Sequence, residues 1–225
     1  MNKIVYGVNS AVPATTKLSN GYTLFDWVMR QNGFPAFWGR PISGKNKVSA
    51  EEIELLHSKN CKLAPIFDDL TENGIATPNG TKDALRAAAA ARELGIPAHK
   101  GITLFVAIPS DWAISHNWMI SFAAALNQQG YLPGFMANTD SSKNFNFGRH
   151  CSHFVRATGK FGYYGASFWA TEPKQSDVPT KWAPYCPSAL TPEKINFWQC
   201  GKLDMKEASI QVSYAQDKSK LNCMW

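Results

Sequence analysis

The chain has 225 residues, of which 44% are apolar and 18% charged; this suits one substantial core and argues against extended disorder. The formal net charge is +6, but there is no Lys/Arg-rich run and no nucleic-acid recognition motif, so the charge fits simple solubility or an anionic polymer better than nucleic acid. No apolar run approaches the length of a membrane span. After Met1-Asn2-Lys3 the chain goes straight into Ile4-Val5-Tyr6-Gly7-Val8, too short for a signal-peptide core. The expectation is a protein made without a cleavable signal peptide, either cytoplasmic or exported by lysis or a signal-independent route.

The first two-thirds of the chain alternates apolar runs with helical patterns. Residues 4–9 read as a strand, 24–31 as a helix stopped by Asn32-Gly33, and 36–40 as a second strand. Ser49 followed three residues later by Glu52 is a capping box, and Ile53, Leu55 and Leu56 give that helix its apolar face. Residues 62–67 form a strand ending in Asp68-Asp69. Residues 81–94 form the clearest helix, with Thr81 as its cap, Asp83 in its first turn and Gly95 after it. A buried strand at 101–108 leads to a helix capped by Ser110 and running to about Gln129. A strand at 131–136 and a helix near 148–158 follow. Residues 165–170, 195–199 and 210–215 read as further strands, separated by stretches rich in Pro, Lys and Ser.

Strand–helix alternation with short connections implies βαβ units and a parallel sheet. Eight parallel strands close into a barrel, so the predicted fold is α/β: an incomplete TIM-type (β/α)8 barrel with eight strands and about five helices, occupying residues 1–225 as one domain. An open dinucleotide-binding sheet is the competing arrangement, but Val8-Asn9-Ser10-Ala11-Val12-Pro13 lacks its glycine-rich phosphate loop. Residues 173–192 hold five of the thirteen prolines and read as an ordered surface excursion. The apolar stretch Leu221-Asn222-Cys223-Met224-Trp225 is expected to pack against the body.

Tyr6-Gly7-Val8-Asn9-Ser10 resembles the first strand of family 25 glycoside hydrolases, the lysozyme-type muramidases. It resembles more closely the glycoside-hydrolase-like group known as domain of unknown function 1906. The likeness continues in Phe37-Trp38-Gly39-Arg40, Leu63-Ala64-Pro65-Ile66-Phe67, Leu104-Phe105-Val106-Ala107, Gly130-Tyr131-Leu132-Pro133-Gly134-Phe135, Phe168-Trp169-Ala170 and Phe197-Trp198-Gln199. The resemblance implies a barrel with its working face at the C-terminal strand ends, a bacterial cell-wall glycan (peptidoglycan) as partner, and neither cofactor nor metal. Two departures stand out. Asn9 occupies a position where the relatives usually carry Asp. In Ala107-Ile108-Pro109-Ser110-Asp111, Ile108 and Ser110 stand where the relatives carry a carboxylate motif, with Asp111 displaced by one.

Glycoside hydrolysis usually needs two carboxyl groups flanking the scissile bond. The candidates at strand ends are Asp68, Asp69, Asp111 and Glu172. Asp68 and Asp69 equally suit a turn or cap, and neighbouring aspartates on a strand end point in different directions. Asp111 equally suits the first turn of a helix. Candidate substrate contacts are Asn9, Arg40, Trp38, Asn138, Trp169 and Gln199. Arg40 can hold a substrate carboxylate or form a structural ion pair, and the tryptophans can stack on sugars or fill the core. His150-Cys151-Ser152-His153 invites a zinc or Cys–His reading, but no C-x-x-C pair supports the first and sequence adjacency does not supply the geometry of the second. The five cysteines read as free thiols, although Cys186 and Cys200 can pair if the protein is exported. Peptidoglycan hydrolysis by a carboxylate pair is therefore the leading expectation. A degenerate barrel that binds glycan or a protein partner without cutting is the rival, and oligomeric state is left open.

Overall fold

The structure, a computed structural model, describes residues 4–140, 146–171 and 179–225. Eight strands close in sequential order into a barrel: β1 (Val5–Asn9), β2 (Phe37–Pro41), β3 (Lys62–Phe67), β4 (Thr103–Ile108), β5 (Leu132–Ala137), β6 (Ser167–Thr171), β7 (Phe197–Met205) and β8 (Ala208–Ala215). Among the described residues the α-helices are α1 (Leu24–Asn32), α2 (Ala50–Ser58), the short α3 (Glu72–Ala76), α4 (Thr81–Glu93), α5 (His116–Gln128) and α6 (Asn146–Thr158). All six precede β6. After it the described residues hold only 3₁₀ turns, so the barrel is the incomplete (β/α)8 type that the sequence predicts.

One feature of the prediction is corrected. The strands are not all parallel: β1 to β7 run parallel, whereas β8 is antiparallel to both β7 and β1. The cause is the Lys206-Glu207 turn. Two residues can join only antiparallel neighbours, because a parallel return needs a long crossover.

Two predicted caps are also corrected. Gly80, not Thr81, precedes α4. A Cβ at Gly80 would lie 2.5 Å from the Trp118 carbonyl oxygen and 2.7 Å from the Phe122 Cβ, so the α4–α5 packing demands glycine there. Helix α5 starts at His116 after Ser115, well beyond Ser110. Residues 109–115 are held out of the helix by Trp112 N–H donating to the Pro109 carbonyl and Ser115 N–H donating to the Ile75 carbonyl. The Ser49 cap forms as expected, its Oγ accepting from Glu52 N–H at 3.1 Å. The Glu52 carboxylate, however, does not complete the box.

Period-two alternation sorts the strand side chains. Phe37, Ala64, Phe105, Trp169, Phe197 and Ala215 point into the barrel and form one buried cluster. Its rings meet edge-on or tilted, with centroids 5.3–5.8 Å apart. Leu221 and Met224 join that cluster from below, and Trp225 exchanges backbone hydrogen bonds with Leu63, which closes the lower end. The opposite strand face packs under the helices: Trp38 stacks on Phe25 of α1 at 5.6 Å.

Candidate functional site

A cavity of about 350 Å³ lies at the C-terminal ends of the strands, where Ile66 and Met136 of the buried inner cluster line it. Its apolar wall includes Gly39, Ile66, Ala107 and Met136, and its polar rim is Asn9, Ser10, Asp68, Ser209 and Gln211. Depth depends on Gly39, where a Cβ would lie 2.6 Å from the Asn9 Cβ and 3.1 Å from Trp169 Cη2.

Asp68 is the only carboxylate among the described residues that line this cavity. It continues the inward row Ala64–Ile66 beyond the end of β3, and its Oδ1 accepts a hydrogen bond from Ser43 Oγ at 2.9 Å. Asn9, inward on β1, accepts from Ser213 Oγ on β8 at 3.1 Å. Ser10 Oγ donates to the Ser209 carbonyl at 3.2 Å, tying the first loop to the last hairpin. Gln199 stands behind the rim, with Nε2 3.4 Å from Gln211 Oε1, while its own Oε1 is buried without a hydrogen-bond partner among the described residues.

The other sequence candidates are placed elsewhere. Asp69 has the opposite parity to Asp68 and pairs with Arg86 of α4, which also binds Asp83 Oδ1 at 3.1 Å. Asp111 is exposed in the β4–α5 loop; it is not among the residues that line the cavity, and it does not begin a helix. Glu172 lies outside the described residues, as does the start of the proline-rich excursion.

Of the two sequence readings of Arg40, the structure forms the structural ion pair. It is fully buried on the outward face of β2. Its Nε donates to Glu52 Oε1 at 2.8 Å, Nη1 to the Ser10 carbonyl at 2.6 Å and Nη2 to the Asn46 carbonyl at 3.0 Å. Glu52 Oε1 also accepts from Ala14 N–H at 2.7 Å, which is why the carboxylate does not turn back onto its own helix end.

Trp38 and Trp169 are fully buried, the first outside the barrel wall and the second inside it. Neither lines the cavity, so neither forms a sugar-stacking wall. Asn138 spends its Oδ1 on the Asp140 N–H at 3.0 Å, in a local turn. The structure joins no two of the five cysteines in a disulfide, Cys186 and Cys200 included. Burial pushes the Cys151 thiol well above the ordinary thiol range, the opposite of what a nucleophile needs. Among the described residues no group of three His, Cys, Asp or Glu side chains is placed to hold a metal ion.

Sequence reasoning missed Ser43, Ser209, Gln211 and Ser213. The last two carried a usable signal. In β8, polar Gln211 and Ser213 alternate with apolar Ile210, Val212 and Tyr214, which marks an inward polar row at one strand end.

A family model, the Rv2525c-like glycoside hydrolase-like domain, matches residues 30–211. The chain belongs to this family. Solved structures with the same fold include an uncharacterized B. stearothermophilus protein, 24% identical, with a TM-score of 0.78 and covering 98% of this chain and 100% of that one. The Tat-secreted protein Rv2525c of Mycobacterium tuberculosis is 12% identical, with a TM-score of 0.61 over 96% of this chain and 98% of that one. A family GH25 lysozyme from Aspergillus fumigatus is also 12% identical, with a TM-score of 0.58 over 98% of both chains. No curated protein matches the chain. The resemblance to GH25-related glycoside-hydrolase-like barrels therefore holds across the whole fold.

Proposed function

We propose that this barrel recognises a bacterial cell-wall glycan at its mouth and binds it without carboxylate-pair hydrolysis. The observation that carries the reading is the rim itself: one carboxylate, Asp68, set among amide and hydroxyl groups. Such groups suit sugar hydroxyls and acetamido substituents, which both donate and accept hydrogen bonds. Hydrolysis by the usual route needs a second carboxyl group about 5–10 Å from the first, and the described lining supplies none. The choice of glycan rests on likeness: the structural neighbours include a GH25 lysozyme, a muramidase and a spore cortex lytic enzyme. The net charge of +6 is compatible with an anionic wall.

The test pairs two measurements on purified peptidoglycan and its soluble fragments. Saturable fragment binding is expected, weakened about tenfold by Asp68→Ala through loss of one charge-assisted hydrogen bond. No release of reducing ends above background is expected. Release that disappears in Asp68→Asn would replace this reading with hydrolysis. Absence of both binding and release would remove the glycan altogether.

A further inference from the structure

A second polar cluster lies on the mouth side, away from the cavity. Helices α5 and α6 both follow the C-terminal ends of their preceding strands, and the first turn of α5 meets the second turn of α6, bringing together side chains 34 or more positions apart in sequence. His116, the first residue of α5, lies 5.8 Å from His150 and 5.2 Å from His153, measured between ring centroids. Arg149 Nη2 stands 3.5 Å from His150 Nε2, and His150 Nδ1 is buried without a hydrogen-bond partner among the described residues. The Ser115 side chain does not cap the first-turn N–H groups of α5.

We propose that His116, His150, His153 and Arg149 form a binding site for a phosphate-type oxyanion. Clustered basic side chains repel one another, and an anion offsets that repulsion. Phosphate-type anions accept several hydrogen bonds at once, and the positive end of a helix favours them. Burial first, then the basic neighbours Arg149, His116 and His153, make His150 harder to protonate. Among the described residues, the remaining charged groups on α5, α6 and the loops leading into them are Arg156, exposed further along α6, Asp111, exposed in the β4–α5 loop, and Asp140 in the β5–α6 loop, whose N–H binds Asn138 Oδ1. A shared metal ion is the competing use of three histidines, but the rings are not placed to hold one. The sign of the pH dependence follows. An anion favours protonated rings, so it raises the histidine titration midpoints, and its affinity grows as pH falls.

The probe is inorganic sulfate, which keeps its charge across the histidine range. The midpoints of the imidazole proton resonances are measured by NMR with and without it. The expected result is an upward shift of at least two of the three midpoints and binding about tenfold tighter near pH 5.5 than near pH 7.5. The shift should vanish in the His116→Gln/His153→Gln variant while its melting temperature is retained. Competition by glycerol phosphate or by a glycerol-phosphodiester polymer then identifies a monoester or a wall polymer as the source. Unmoved midpoints, a shift that survives in the folded variant, or saturable Zn²⁺ binding that excludes sulfate would each overturn the proposal. Because the assay uses no saccharide, its failure leaves the glycan reading untouched.

Discussion

Gly39 faces the barrel interior with almost no room beside it. A methyl group there would lie 2.6 Å from the Asn9 Cβ, 3.0 Å from Ile66 Cδ1 and 3.1 Å from Trp169 Cη2. Gly39→Ala therefore overpacks the cavity wall and should cost about 1–3 kcal/mol, read as a lower urea midpoint, together with weaker ligand binding because Asn9 is displaced. Parity along single strands made much of the site readable at this scale. Asp68 shares the inward face of Ala64 and Ile66, whereas Asp69 shares the opposite face, so the alternation in β3 alone separates cavity lining from helix contact. The same rule puts Trp38 and Arg40 on the face opposite Phe37 and Gly39, outside the barrel. What parity cannot supply is the meeting of Ser43 with Asp68 or of His116 with His150 and His153, because these depend on how different loops and helices pack.

At the scale of elements, the buried Arg40–Glu52 pair joins β2 to the loops leaving β1 and β2 and to helix α2. Both side chains are fully buried, so breaking the pair leaves an uncompensated charge. Arg40→Ala should destabilise by about 3–5 kcal/mol, and replacing both partners with leucine should cost less; chemical denaturation of the two variants checks the order. The positions of all eight strands were visible as apolar runs, but the hairpin was not. The outer part of β7, from Gly201 to Met205, alternates intermediate and exposed residues such as Lys202 and Asp204 with few apolar ones. Its backbone pairing with β8, not its side chains, makes it a strand. The start of α5 was misplaced for a related reason. Ser110 has the chemistry of a cap, but the Ser115–Ile75 hydrogen bond decides where the helix begins.

For the whole molecule, the lower end of the barrel is sealed by residues that follow the last strand. Leu221 and Met224 are buried in the interior cluster, and Trp225 packs edge-on against His57 with centroids 4.7 Å apart. Met224→Ala should cost about 2–5 kcal/mol, as for other core truncations, and should lower the melting temperature measured by circular dichroism. The closure of the sheet carries a further consequence, for folding. Strand β1 pairs with β8, and the Asn9–Ser213 and Ser10–Ser209 bonds join positions 204 and 199 residues apart. Contacts of such long range are costly in chain entropy and form slowly. During synthesis β1 emerges first and must wait for nearly the whole chain before its second neighbour exists. The cavity straddles this seam, with Asn9 and Ser10 on one side and Ser209 and Gln211 on the other. A partly folded barrel therefore lacks the site entirely, and recognition is gained in the same step that completes the circle.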